Sequence, residues 1–205
     1  MSTLPLQLQI VSDLHLETPL TSPSYTTFEL DVQANNLCLL GDIGLVKDEG
    51  LFVFLRATLD RSRGTRIFYI LGNHEAYQLS YELAVKKLRD FEEEVRSEYG
   101  GRFILLDRDR YDLDASNTIL GCTLWSAVSL EQADEAQLRL TDFNEDRGIR
   151  KWNFLKRNLI DESQSLHIIV RPWTQELQSL STVGALYRHA SLQIYLQISA
   201  GPTLW

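Results

Sequence analysis

Three short clusters in the first 80 residues gather the side chains that hold divalent cations: Asp13-Leu14-His15, Gly41-Asp42 and Gly72-Asn73-His74-Glu75. Asp13 and His15 stand two apart, so on an extended strand end they point the same way and can chelate one ion. Asp42 offers a carboxylate that can bridge two cations. Asn73 offers a neutral carbonyl oxygen, hard enough for a second ion without adding negative charge. Glycine directly before Asp42 and before Asn73 permits a tight turn with the backbone close to a ligand. His74 titrates near neutral pH and suits proton donation. An Asp-x-His or a Gly-Asp alone is a common turn. The ordered trio, spaced about 30 residues apart, is what points to a metal site.

Each cluster closes an apolar run. Leu6, Leu8 and Ile10 alternate with Gln7 and Gln9, which predicts a half-buried strand ending at Val11-Ser12. Leu37-Cys38-Leu39-Leu40 and Ile67-Phe68-Tyr69-Ile70-Leu71 are continuous, as strands covered on both faces are. Lys47 to Ser62 reads as a helix with Leu51, Phe52, Leu55 and Leu59 on one side. Ser80 is placed to cap a second helix, whose stripe Ala84, Leu88, Phe91, Val95 ends before Gly100-Gly101. Phe103 to Leu106 and Thr118 to Trp125 read as further strands, and Glu131 to Asp146 as a solvated helix or loop. This alternation is that of an α/β layered fold, in which sites form beyond the carboxyl ends of strands.

Composition narrows the classes. The chain has 205 residues, 44% hydrophobic and 23% charged, the length and balance of one soluble domain. A net charge of −8 gives no electrostatic footprint for nucleic acid. No apolar run approaches the roughly 18–20 residues of a membrane span, and Met1 to Gln9 lacks the pattern of a secretory leader, so a cytoplasmic location is expected. Cys38 and Cys122 sit inside apolar runs and are expected to be buried, reduced thiols. Tyr25, Phe28 and the stretch Pro19 to Pro23 follow the first cluster, as loop filler or as a pocket wall; Trp125 is assigned to the core.

Val11-Ser12-Asp13-Leu14-His15-Leu16-Glu17, Leu40-Gly41-Asp42-Ile43-Gly44 and Leu71-Gly72-Asn73-His74-Glu75 together resemble the first three signature blocks of the calcineurin-like metallophosphoesterases. The resemblance implies a four-layer αββα sandwich and a phosphate-ester hydrolase, phosphatase or phosphodiesterase, with two divalent ions (Mn, Fe, Zn or Mg) at one rim. By position, Asp13 and His15 would hold the first metal, Asp42 would bridge, and Asn73 would hold the second. His74 would contact the phosphoryl oxygen or protonate the leaving group.

The resemblance covers residues 1–145 and then stops. The family's later His-His-Ser-Pro and Gly-His-x-His blocks are absent, and His167 and His189 stand in neither context. Residues 151–205 carry three acidic and five basic side chains, a net +2 that leaves −10 on residues 1–150. The genetic code supplies a reason. Read two bases later, the codons for Gln164 to Arg171 permit Ile/Val-Phe-Thr-His-His-Ser-Pro, and the continuation permits Thr-Leu-Asp-x-Arg-Ala. In the same frame Ala190 to Tyr195 permits Phe-Ala-Thr-Asp-Leu. Residues 146–205 are therefore expected to be an out-of-frame tail, poorly specified as a fold, and the sandwich incomplete. Short of ligands, the 205-residue chain is expected to bind metal weakly and turn over little. The competing expectation is a catalytically inactive phosphoesterase-like scaffold or a non-productive gene product.

Overall fold

The computed structural model describes residues 6–114, 117–125 and 129–152, and the backbone alone of 182–188 and 192–200. The chain divides into two units, residues 1–105 and 106–205.

The first unit holds a four-stranded, wholly parallel sheet. Strands β1 (Gln9–Val11), β2 (Asn36–Leu40), β3 (Arg66–Ile70) and β4 (Phe103–Leu105) lie in chain order across it. Parallel neighbours need crossovers, and helices α1 (Glu49–Arg61) and α2 (Tyr81–Val95) lie within two of them. Every residue of β2 is buried, and Ile67 to Ile70 of β3 are fully so, as their unbroken apolar runs demand. Helix α1 buries Leu51, Phe52, Phe54, Leu55 and Leu59, and α2 buries Ala84, Leu88, Phe91 and Val95. Phe91 of α2 meets Phe52 of α1 at 5.2 Å and Phe103 of β4 at 5.0 Å, so both helices cover one face of the sheet.

The predicted punctuation is present. The Ser80 hydroxyl accepts from Leu83 N at 3.3 Å and opens α2. Past its end Gly100 and Gly101 take positive φ, and Gly101 N donates back to Arg96 O at 2.8 Å. The first strand departs from expectation. It is three residues long, and Ile10, assigned to its buried side, is 45% exposed. β1 is the edge of this sheet, where pairing and covering come from one neighbour only.

The second unit holds an antiparallel sheet. Strands β5 (Asp109–Asp112) and β6 (Asn117–Trp125) pair Asp109 with Gly121 through Asp112 with Thr118. β5 has no apolar alternation, only Asp-Arg-Tyr-Asp, and sequence periodicity does not reveal it. The backbone of β8 (Leu192–Ala200) pairs along β6 and that of β7 (Thr182–Arg188) along β8, in a stretch where sequence reading finds no order of elements. Gly121 lies so close to Leu106 that a Cβ there would overlap its side chain. Trp125 is buried against Trp152 at 5.0 Å between ring centres, in the core as assigned. Residues 130–143 form two 3-10 turns around α3 (Ala133–Arg139), with Leu130 and Leu138 exposed. Both cysteines are free and buried, and burial pushes each thiol up to about 12. No described helix is long and apolar enough to cross a membrane.

Candidate metal centre

The carboxyl ends of β1, β2 and β3 carry the three clusters, and backbone hydrogen bonds stitch them together. Asp13 N donates to Gly41 O at 3.1 Å, His15 N to Asp42 O at 2.9 Å and Leu16 N to Ile43 O at 3.0 Å. The segment after β1 thus runs beside the turn after β2. His74 N donates to Asp42 Oδ1 at 3.0 Å, which joins the third cluster to the second.

Asp13 and His15 do converge, but not by the extended geometry expected of them. Both lie beyond the end of β1 in the left-handed region, with φ of 55° and 46°, and Asp42 joins them at 53°. Such a backbone costs an L-residue roughly 1–2 kcal/mol, and Asp and His tolerate it better than most. Three strained residues at one rim aim three side chains inward. Ligand atoms of Asp13, His15 and Asp42 lie within 4.8 Å of one another, and so do those of His15, Glu17 and His74. Strain that collects on potential ligands is characteristic of functional sites.

Glycine serves the site in two ways. Gly41 takes φ 80°, the conformation of the turn itself. Gly72 lacks positive φ; a Cβ there would overlap Asp42 Oδ1 and stand 2.6 Å from Asp42 N. The third cluster can lie against Asp42 only because residue 72 has no side chain.

Behind this rim, Glu75 is fully buried and organises the backbone. Its Oε2 accepts from Asp42 N at 2.9 Å and Gly72 N at 2.7 Å, and its Oε1 from Ile43 N at 2.9 Å and Tyr69 Oη at 2.8 Å. Burial, then the charge of Asp42, push this carboxyl up to about 7 against the four donors that favour its ionised form. Asn73, 3% exposed, donates through Nδ2 to Tyr77 Oη at 2.7 Å, so its carbonyl oxygen is the side-chain atom that could ligate a cation. Burial also raises the Asp42 carboxyl, with His74 opposing it.

Glu17 is the residue that sequence reasoning passed over, though it closes the first quoted block. It is 3% exposed, and its Oε1 lies 3.3 Å from His15 Nδ1 and 2.8 Å from His74 Nδ1. Burial alone would raise it, but these two hydrogen bonds outweigh that and bring it down to about 2. His15 is raised chiefly by its bond to Glu17. For His74 burial works downward, and Glu17 and Asp42 overcome it, so its titration also moves up. The signal in the sequence is the alternation Asp13-x-His15-x-Glu17, a third polar side chain in step with the first two.

Tyr25 is structural rather than a pocket wall. It is buried over Gly44 and Gly50, accepts from Leu45 N at 2.9 Å and donates to Asp48 Oδ2 at 3.2 Å. His167 and His189 lie outside the described residues.

Among curated proteins, the chain is 29% identical over 146 residues to an uncharacterized protein of Acanthamoeba polyphaga mimivirus, across 67% of this chain and 50% of that one. The chain thus spans about half the length of the relative it matches. No family profile matches the chain. No solved structure matches it.

Proposed function

We propose that residues 1–145 are the N-terminal part of a four-layer αββα phosphoesterase domain that hydrolyses phosphate esters with two divalent cations. The observation that carries this reading is the convergence of Asp13, His15 and Asp42, with ligand atoms within 4.8 Å of one another, at the ends of two neighbouring parallel strands. Two carboxylates, an imidazole and the Asn73 carbonyl oxygen form a donor set suited to Mn, Fe, Zn or Mg. The buried Glu17 Oε2, which has no hydrogen-bond partner among the described residues, adds negative potential beside them.

When bound, such a pair of cations supplies Lewis-acid polarisation of phosphoryl oxygens and acidifies water. The chain supplies the rest. Asp13, His15 and Asp42 would hold the first ion, and Asp42 with Asn73 the second. His74, its Nδ1 bonded to Glu17, keeps Nε2 to meet a phosphoryl oxygen or to give a proton to the departing oxygen. Glu17 and Asp42 raise the titration of His74 and so favour the form that carries that proton.

Residues 146–205 belong to this proposal as an out-of-frame tail. A match over 67% of the chain is close to the length of residues 1–145, and half of the mimivirus protein lies outside it. The coding DNA decides this point: the neighbouring frame should read His-His-Ser-Pro across codons 167–171, and its absence refutes the tail assignment.

The function is tested with manganese titration of the 205-residue chain and with p-nitrophenyl phosphate and its bis ester, with and without manganese. Weak manganese binding that Asp42→Asn abolishes, with little turnover, is the expected result. Indifference of binding to Asp42→Asn sinks the metal-centre reading. Robust manganese-dependent diesterase activity instead overturns the view that the chain lacks essential ligands. The competing reading, an inactive scaffold, predicts no manganese-dependent hydrolysis even in a chain carrying the restored frame.

A further inference from the structure

Glu17 meets two imidazoles through a single oxygen. An ionised carboxylate only accepts, so each Nδ1 that faces Oε1 must carry a hydrogen. His15 and His74 stand edge to face with ring centres 4.4 Å apart, which lets both reach that one atom. His74 is held on two further sides: its ring stacks on Tyr77 at 4.4 Å, and its backbone N is bonded to Asp42 Oδ1. The Nδ1 bond and the stack on Tyr77 together orient its ring. Among the described residues His15 has no such stack, and its ring Nδ1 faces Glu17 Oε1. A neutral imidazole with hydrogen on Nδ1 has its lone pair on Nε2, and this is how an outer carboxylate prepares a histidine for a metal.

We infer that Glu17 is a positioning residue that, through Oε1 alone, fixes both His15 and His74 with hydrogen on Nδ1, reserving the Nε2 lone pair of His15 for a cation and leaving Nε2 of His74 to take up the second proton that it gives to the phosphoryl group. This rests on the metal-centre reading above, and it adds what that reading lacks, a single group coupling the ligand to the proton donor. One carboxylate serving two rings means that neither ring can be freed without disturbing the other's partner. Tyr77 extends the same chain of contacts, stacking on His74 while accepting from Asn73 Nδ2. Glu17, His15, His74, Tyr77 and Asn73 thus form one connected set reaching both proposed cation sites.

The test reads ring tautomers by long-range proton–nitrogen NMR on the metal-free 205-residue chain, at a pH that deprotonates both rings. Signals are assigned with His15→Gln and His74→Gln. Both rings in the wild type should carry hydrogen on Nδ1. In Glu17→Ala both should revert toward the Nε2–H form, and in Glu17→Gln the Nδ1–H population should fall in at least one, because a neutral amide oxygen accepts more weakly than a carboxylate oxygen. Manganese affinity, measured separately, should fall roughly 10–100-fold in either variant. Nε2–H rings in the wild type, or tautomers unchanged in both variants, overturn the inference. Loss of manganese binding with tautomers intact would make Glu17 a direct ligand and overturn it equally. If Glu17→Ala fails to fold, the wild-type tautomers and the near-isosteric Glu17→Gln still decide. Because the rings are read without metal, a wild type that never binds manganese sinks the hydrolase reading and leaves the Glu17 result standing on its own.

Discussion

Replacing Glu75 by alanine should cost roughly 3–5 kcal/mol of folding stability, and the arithmetic comes from its four donors. Asp42 N, Gly72 N, Ile43 N and Tyr69 Oη all point at one fully buried carboxylate. Each buried donor left unmet costs about 1–3 kcal/mol, and water entering the vacated space recovers part of that sum. Glu75→Gln is the sharper probe. Its carbonyl can take the Oε2 position and satisfy Asp42 N and Gly72 N. Its amide nitrogen then falls where Oε1 was, where the Tyr69 hydroxyl can rotate to accept, but Ile43 N–H cannot. One unmet backbone donor and the lost charge amount to about 2–3 kcal/mol. Tyr69→Phe should cost about 1.5–3 kcal/mol in the wild type and markedly less in the Glu75→Ala background. Urea unfolding followed by far-ultraviolet circular dichroism, metal-free and at one pH, measures all four. A Glu75→Ala variant within about 0.5 kcal/mol of wild type refutes the claim that this carboxylate ties the second and third clusters together.

Gly72→Ala should destabilise the chain by about 1–3 kcal/mol through overpacking and weaken manganese binding at once, since its Cβ overlaps Asp42 Oδ1; paired urea unfolding and manganese titration check both. Cys38 and Cys122 should resist a thiol-reactive dye in native protein at neutral and mildly alkaline pH, because burial pushes both thiols up to about 12, and should react together once urea unfolds the chain. Ser80→Ala should cost about 1 kcal/mol by removing the cap of α2, with manganese affinity unchanged.

The parallel sheet was legible because its strands are buried on both faces. Leu37 to Leu40 and Ile67 to Leu71 leave no polar position that a different assignment could use, and Gly41 and Gly72 mark where each run stops. The helices were legible from spacing and, for α2, from Ser80. What the sequence hid was hidden for physical reasons. β5 is held by pairing with β6 and not by an apolar stripe, so Asp109 to Asp112 carries no period to detect. Ile10 alternates as a buried residue would, but a sheet edge leaves it exposed, and alternation alone says nothing about what covers a face. The left-handed backbone at Asp13 and His15 is likewise unreadable from residue types, because it is imposed by hydrogen bonds to Gly41 and Asp42 that are distant in the chain.

The two glutamates show why a list of ligands undersells this rim. Asp13, His15, Asp42 and Asn73 show the proposed chemistry in their side-chain types, which is why spacing finds them. Glu75 and Glu17 are not among the proposed ligands, yet one holds the backbone of two clusters and the other bonds two rings. Three of the potential ligands or their neighbours sit in strained left-handed conformations, and strain of that kind relaxes unless the surroundings over-determine it. Four bonds on one carboxylate and two on the other supply that determination from behind. A chain that kept the visible ligands and lost either glutamate would keep the pattern and lose the geometry. Substitutions at Glu17 and Glu75 are therefore the ones that test whether this rim is held from behind, as Asp42→Asn tests whether it holds a metal.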